Sequence, residues 1–336
     1  RLPEGSAYRW VLSDPSFIGP GWLFANDILA VWRPRVFDDA YLSPSGVRIY
    51  TSVAANLAGF DPTNTEDPHT QDALRKYAER GRSILSENSE DALTWSLFHA
   101  LSKLPSKLWL VDFFRAAVSE RFAKAHAPHV GLAQIKFWVP HPAPKIYLQW
   151  LGAKVLREGV GAFKHLDRYD ARVRAKQRLE RIMQGDPSES PERPTEVDVE
   201  IRLGKELIVF IEAKLYSDAT SSGTFSPGRG QILRNMELLE DVARREGFKD
   251  RRFILLTLDR QEPKIYSQSM RRYRSSDMRK LRNWDVAGNS DALKLDLPHR
   301  IEEPDTYFQE MTQKMGWILW NECWKLLAAG MAPCKS

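Results

Sequence analysis

Asp198, Glu212 and Lys214 are the residues whose types and spacing point most directly to chemistry. They lie in the segment EVDVEIRLGKELIVFIEAKL, which begins at Glu196. Val197, Val199, Ile201 and Leu203 alternate with Asp198, Glu200 and Arg202, the period of a half-buried strand. The run from Leu207 is apolar until Glu212 and Lys214, as expected of a central strand covered on both faces. A three-residue loop, Gly204 to Glu206, pairs Leu203 with Leu207, Ile201 with Val209 and Val199 with Ile211. This register sets Asp198 opposite Glu212 and Glu196 opposite Lys214. A two-residue turn would send Asp198 to the other face.

Opposed side chains on paired strands have Cβ atoms about 4.5–5.5 Å apart. Two carboxylates about 4 Å apart repel by about 4 kcal/mol at an effective dielectric near 20, so the arrangement calls for a cation. Hard oxygen ligands with open positions suit magnesium or manganese better than zinc. Lys214 beside such a metal would orient or deprotonate a water and offset charge developing on a phosphate. The bland alternative is an ordinary cross-strand ion pair at a sheet end.

The segment resembles the PD-(D/E)XK, or restriction-endonuclease-like, nuclease superfamily. Asp198 matches the motif aspartate, with Val197 in the proline position, and Glu212-Ala213-Lys214 matches E-x-K. The resemblance implies an α/β (α+β) core of helix, three strands, helix and strand, in which a short mixed sheet is flanked by helices. It also implies metal-dependent hydrolysis of phosphodiester bonds that leaves a 3′-hydroxyl and a 5′-phosphate. Asp198 and Glu212 would bind the metal with the Ala213 carbonyl. Members often carry an acid on the preceding helix and a glutamine on the following one. Glu90, in line with Leu93, Leu97 and Leu101, and Gln231, with Arg234 and Asn235 a turn on, fill those places. Each also has a plainer reading, as an acid favoured at a helix start and as a first-turn polar residue. A second match, Glu262-Pro263-Lys264, has no strand context.

Around these residues the expected organisation has five parts. Residues 1–85 form an N-terminal accessory region of small strands and turns, then a helix over 69–83. Residues 86–104 and 195–260 form the nuclease core, with a helix started by Asn88 and Asp91, strands at 197–203, 207–215 and 252–258, and a helix at 231–246 stopped by Gly247. Residues 105–183 form a helical insertion, with helices near 107–125, 145–158 and 163–183. The proline-rich segment 184–194 is a linker. Residues 261–336 pack on the core through a helix near 307–329, whose Trp317, Trp320 and Trp324 form a core stripe. His126, His129 and His141 stand among prolines and read as loop residues rather than ligands.

The net charge of +5 in 336 residues is weak evidence for a polyanionic partner, but its distribution says more. Arg172, Arg174, Lys176, Arg178 and Arg181 crowd one helix, and Arg271, Arg272, Arg274, Arg279, Lys280 and Arg282 crowd another stretch. Both suit a phosphate backbone, although each also reads as a solvated face. Arg229, between two glycines ahead of Gln231, and Arg234 join them as nucleic-acid candidates. The expected partner is nucleic acid, DNA first, with a homodimer or partner subunit allowed. Two cysteines, Cys323 and Cys334, fit a reducing, cytoplasmic setting, and no apolar run reaches membrane-spanning length.

Overall fold

The computed structural model describes residues 90–102, 104–164, 166, 168–184, 195–214, 219, 229–258, 265–274 and 288–331, with two short strands, β1 (Ala40–Leu42) and β2 (Arg48–Tyr50). The helix expected over 69–83, the Asn88 cap, the linker beyond Gln184, Glu262 to Lys264, and Arg279, Lys280 and Arg282 lie outside the described residues.

The fold is mixed α/β, built on an open five-stranded mixed sheet flanked by helices. Helix α1 (Glu90–Ser102) is followed by α2 (Leu110–Ala117) and α3 (Glu120–His126), then by the edge strand β3 (Ala133–His141). Helices α4 (Lys145–Glu158) and α5 (Tyr169–Met183) intervene before β4 (Thr195–Leu203) and β5 (Leu207–Lys214). Helix α6 (Gln231–Glu246) crosses over to β6 (Asp250–Thr257), which lies parallel to β5. Helices α7 (Ile265–Tyr273), α8 (Ser290–Asp296) and α9 (Asp305–Gln313) lead to β7 (Met315–Leu319) and the final helix α10 (Trp320–Met331). Strand order is β3-β4-β5-β6-β7, with the first two pairings antiparallel and the last two parallel.

The apolar register expected of the hairpin is the one observed: Val199 pairs with Ile211, Ile201 with Val209 and Leu203 with Leu207. Gly204, the first loop residue, takes φ +56°, a conformation glycine adopts without a Cβ clash. Every residue of β5 is buried, as its apolar run requires. Gly247 closes α6 in the left-handed region, with φ +71° and ψ +35°.

Three expectations change, one of them the histidines: His126 ends α3 and His141 ends β3 rather than standing in loops. Residues 105–183 are not wholly helical, because β3 runs through their middle and completes an antiparallel meander with β4 and β5. Its Ile135, Phe137 and Val139 alternate as a strand should, and Pro140 is tolerated because β3 is an edge. The single helix expected near 307–329 is two helices separated by β7. Trp317 therefore stands on a strand while Trp320 and Trp324 stand on α10, all three buried in the core. Gly316 permits the close approach of α2: a Cβ there would lie 2.8 Å from the Ala117 carbonyl oxygen.

One apolar core covers the sheet, and a second, smaller one (Tyr147, Leu151, Val155, Phe163 and Leu179 among it) belongs to α4 and α5. The excursion between β3 and β4 is thus a helical arm with its own packing. Among the described residues no helix is long and apolar enough to cross a membrane.

Candidate functional site

β5 ends in a carboxylate and an ammonium on the face that α6 covers. Lys214 Nζ lies 2.7 Å from Glu212 Oε1 and 3.2 Å from Glu90 Oε1, so the first residue of α1 meets the end of the central strand. The Glu212 carboxylate is fully enclosed: it accepts from Gln231 Nε2 at one oxygen and from Asn235 Nδ2 at the other, at 2.6 Å. These two amides stand four residues apart on one face of α6, which explains how one helix turn holds both carboxylate oxygens. Asp198 accepts from the Ala213 backbone amide at 2.9 Å. Across β3 its register neighbour is Trp138, flanked by the pairs Phe137–Val199 and Val139–Val197. Trp138 is buried with φ +48°, a costly backbone conformation for a bulky residue.

Charge is unbalanced here. Burial, then the neighbouring Glu212, push the Asp198 carboxyl well above the usual range; Lys214 works against this, while Glu90 and Asp91 add to it. Burial also raises Glu212, against the pull of Lys214 and the Asn235 hydrogen bond. Burial disfavours the Lys214 ammonium, yet Glu212, Asp198 and Glu90 outweigh it and hold the proton more firmly than on an ordinary lysine. Lys214 in this setting is therefore a proton-bearing cation. That state suits the orienting and charge-offsetting role expected of it.

Asp198, Glu212, Glu90 and Asp91 thus influence one another around a single lysine. Among the described residues no three His, Cys or acidic side chains form a ready metal cage. The donor set nevertheless fits a hard divalent ion. The donors on offer are carboxylate and carbonyl oxygens, burial foremost holds two of the acids above their usual range, and Asn235 Oδ1 is buried with no hydrogen-bond partner.

The other nucleic-acid candidates part company. Arg229 is buried, with Nε 2.9 Å from Glu237 Oε2 and its guanidinium 4.0 Å from the Tyr147 ring centroid, so it braces the start of α6 and is closed to a phosphate. Arg274 is buried as well and donates to the Thr312 carbonyl at 2.7 Å; burial and nearby Arg252 lower its pKa to about 10. Arg272 forms a fork on Asp296, at 2.6 and 2.9 Å. Arg271 and Arg234 are half-buried. On α5, Arg172 staples the helix start through the Leu166 and Lys164 carbonyls, Arg174 pairs with Asp170 at 2.8 Å, and Lys176 pairs with Glu180. Arg174, Arg178 and Arg181 line a groove. Of the histidines, His126 bonds Asp250 at 3.1 Å and His141 bonds Glu200 at 2.8 Å.

Three tryptophans contribute in ways that escaped sequence reasoning. The Trp320 indole donates to the Lys214 carbonyl at 3.1 Å, and Trp317 donates to Thr257, the β6 neighbour of Lys214, at 2.8 Å. The C-terminal tryptophans therefore pin the lysine-bearing strand end as well as filling the core. Trp138 is the other, and only its place opposite Asp198 marks it.

The fold and site together define an α/β protein with an acid-rich cluster closing around one lysine at the end of its central strand. Compared with known proteins, the chain matches no family model, no curated protein and no solved structure.

Proposed function

We propose that the protein is a metal-dependent nuclease of the PD-(D/E)XK kind that hydrolyses phosphodiester bonds, most simply a DNA endonuclease of the restriction or defence type. The observation that carries this reading is the convergence of Lys214 with Glu212 and Glu90, beside Asp198, at the end of β5. With α2 to α5 set aside as insertions, the remaining order α1, β3, β4, β5, α6, β6 supports it, since it matches the helix, three strands, helix and strand of that superfamily's core.

Asp198, Glu212 and the Ala213 carbonyl would hold magnesium or manganese, with Glu90 as a further acid. When bound, such an ion polarises the phosphoryl oxygens and acidifies water. Gln231 and Asn235 fix the Glu212 carboxylate, and Lys214 donates a hydrogen bond to the attacking water or a phosphate oxygen. Water adds to phosphorus as the P–O3′ bond breaks, giving the 3′-hydroxyl and 5′-phosphate ends.

Incubation with supercoiled plasmid and magnesium tests the proposal. Wild-type protein is expected to nick or linearise the plasmid, while Asp198→Ala and Lys214→Ala leave it intact. Equal cleavage by all three would remove the site assignment. DNA binding without cleavage in any metal would favour a non-catalytic nucleic-acid-binding or assembly module.

A further inference from the structure

The helical arm between β3 and β4 carries a groove of about 440 Å³, open along α5. Its floor is apolar (Leu166, Ala171 and Ala175), while Arg174, Arg178 and Arg181 stand along it. These arginines sit at i, i+4 and i+7, on one face and within about 10–11 Å of helix axis. The arm is rooted at the candidate active site. The chain leaves the sheet after His141 and re-enters at Thr195, which pairs with His141 and lies three residues before Asp198. The arm is also docked there: Tyr147 of α4 stacks under Arg229, two residues ahead of the Gln231 that donates to Glu212.

We infer that this groove is a binding track for single-stranded nucleic acid, leading into the candidate active site. Three guanidinium groups on one face match a run of phosphates, and Arg also stacks on base planes. The apolar floor decides between strand forms. A duplex turns its bases inward and would offer such a groove only phosphates and sugars, whereas a single strand has base faces to lay on Leu166, Ala171 and Ala175.

This deepens the nuclease proposal and rests on it for the choice of nucleic acid, so binding and cleavage are to be read separately. Fluorescence anisotropy with a labelled oligo-dT and a duplex of equal length, in EDTA, isolates binding. Wild-type protein is expected to prefer the single strand. The triple variant Arg174→Gln, Arg178→Gln, Arg181→Gln is expected to bind it at least about tenfold more weakly, with a log–log salt slope shallower by about 2. Gln177→Glu, an exposed groove position where a charge leaves packing intact, is expected to weaken single-strand binding to a lesser degree. Single-strand affinity unchanged in both variants, an equal loss for the duplex, or no binding by the wild type would overturn the inference. Groove-dependent binding without metal-dependent cleavage would sink the nuclease proposal alone, and cleavage with groove-independent binding would sink this inference alone.

Discussion

The Ala213 amide donates to Asp198 Oδ2 at 2.9 Å, one step beyond the last β4–β5 backbone pair, Val199 with Ile211. A side chain, not a carbonyl, thus takes up the ladder's next donor. It holds the Asp198 carboxylate against β5, where burial and the Glu212 charge disfavour ionisation. The folded state then binds a proton that the unfolded chain has released, in the window from the ordinary carboxylate pKa upward. Stability contributed by the protonated form is lost as pH rises through that window.

Asp198→Asn keeps an oxygen for the Ala213 amide and removes the charge. Without metal, this variant is expected to melt above the wild type at pH 8, the difference closing below the ordinary carboxylate pKa, by about pH 3, where both states of the wild type are protonated. Magnesium is expected to raise the wild-type Tm and leave the variant unmoved. Scanning calorimetry at the two pH values, with and without magnesium, checks both points; a variant less stable at pH 8 would contradict the sign.

Lys214 answers the same imbalance from the other side. Lys214 is 5% exposed and its ammonium bridges Glu212 and Glu90, so Lys214→Ala strands buried carboxylates. Breaking a buried pair in this way costs about 3–5 kcal/mol at neutral pH, less in acid as the carboxylates take up protons. Cleavage is expected to fall by about a hundredfold or more. Urea titrations at pH 7 and pH 5 read the first effect and plasmid nicking the second. A loss of activity with unchanged stability at pH 7 would mean that Lys214 carries less of the local charge balance than its contacts imply.

The two α6 amides are not equivalent. Asn235 is buried and Gln231 half-buried, although both donate to Glu212. A hydrogen bond to a charged group is worth about 1.5–3 kcal/mol, most where water cannot replace it. Asn235→Ala is therefore expected to cost that much stability, and Gln231→Ala clearly less, while both lower cleavage. Paired denaturation curves decide the ranking, and a larger loss for Gln231→Ala would reverse it.

The legible part of this molecule was the part where one physical constraint ruled. The β4–β5 register followed from matching apolar faces, because a one-residue slip would have set the apolar residues of β4 opposite the wrong face of β5. Gly247 and the α4 and α6 spans were readable from periodicity and capping in the same way. β3 was not, because Pro140, Pro142 and Pro144 dominate its surroundings and an edge strand tolerates a proline that a central one would reject. β7 was hidden by Trp317, Trp320 and Trp324, whose spacing imitates a helix. Gly316 was the overlooked sign, its missing side chain demanded by the Ala117 backbone rather than by a turn. The arginines were the least readable. Nothing local distinguishes Arg174, on the surface, from Arg229, whose carboxylate partner lies two turns along α6.

That partner, Glu237, gives the last prediction. It is fully enclosed on α6, six residues beyond Gln231, and receives His299 at 2.6 Å and Arg229 and Arg300 at 2.9 Å each. Burial opposes its charge, yet the His299 contact and the two arginines prevail and lower its pKa from 4.5 to about 2. A depressed carboxyl contributes stability that is complete above the unfolded-state value and is lost as pH falls toward the folded one. The wild type should therefore lose stability between about pH 4.5 and pH 2 partly through this group. Glu237→Gln should flatten that part of the profile while lowering stability at pH 7 by about 3–5 kcal/mol, since Arg229 and Arg300 would remain buried without a counter-charge. Because Arg229 precedes the helix turn that holds Glu212, the same variant is expected to weaken cleavage without removing it. Acid denaturation followed by tryptophan fluorescence separates the outcomes: an acid limb as steep in Glu237→Gln as in the wild type would place the acid sensitivity elsewhere, with Asp250, bonded to His126 and Lys314, the next group to test.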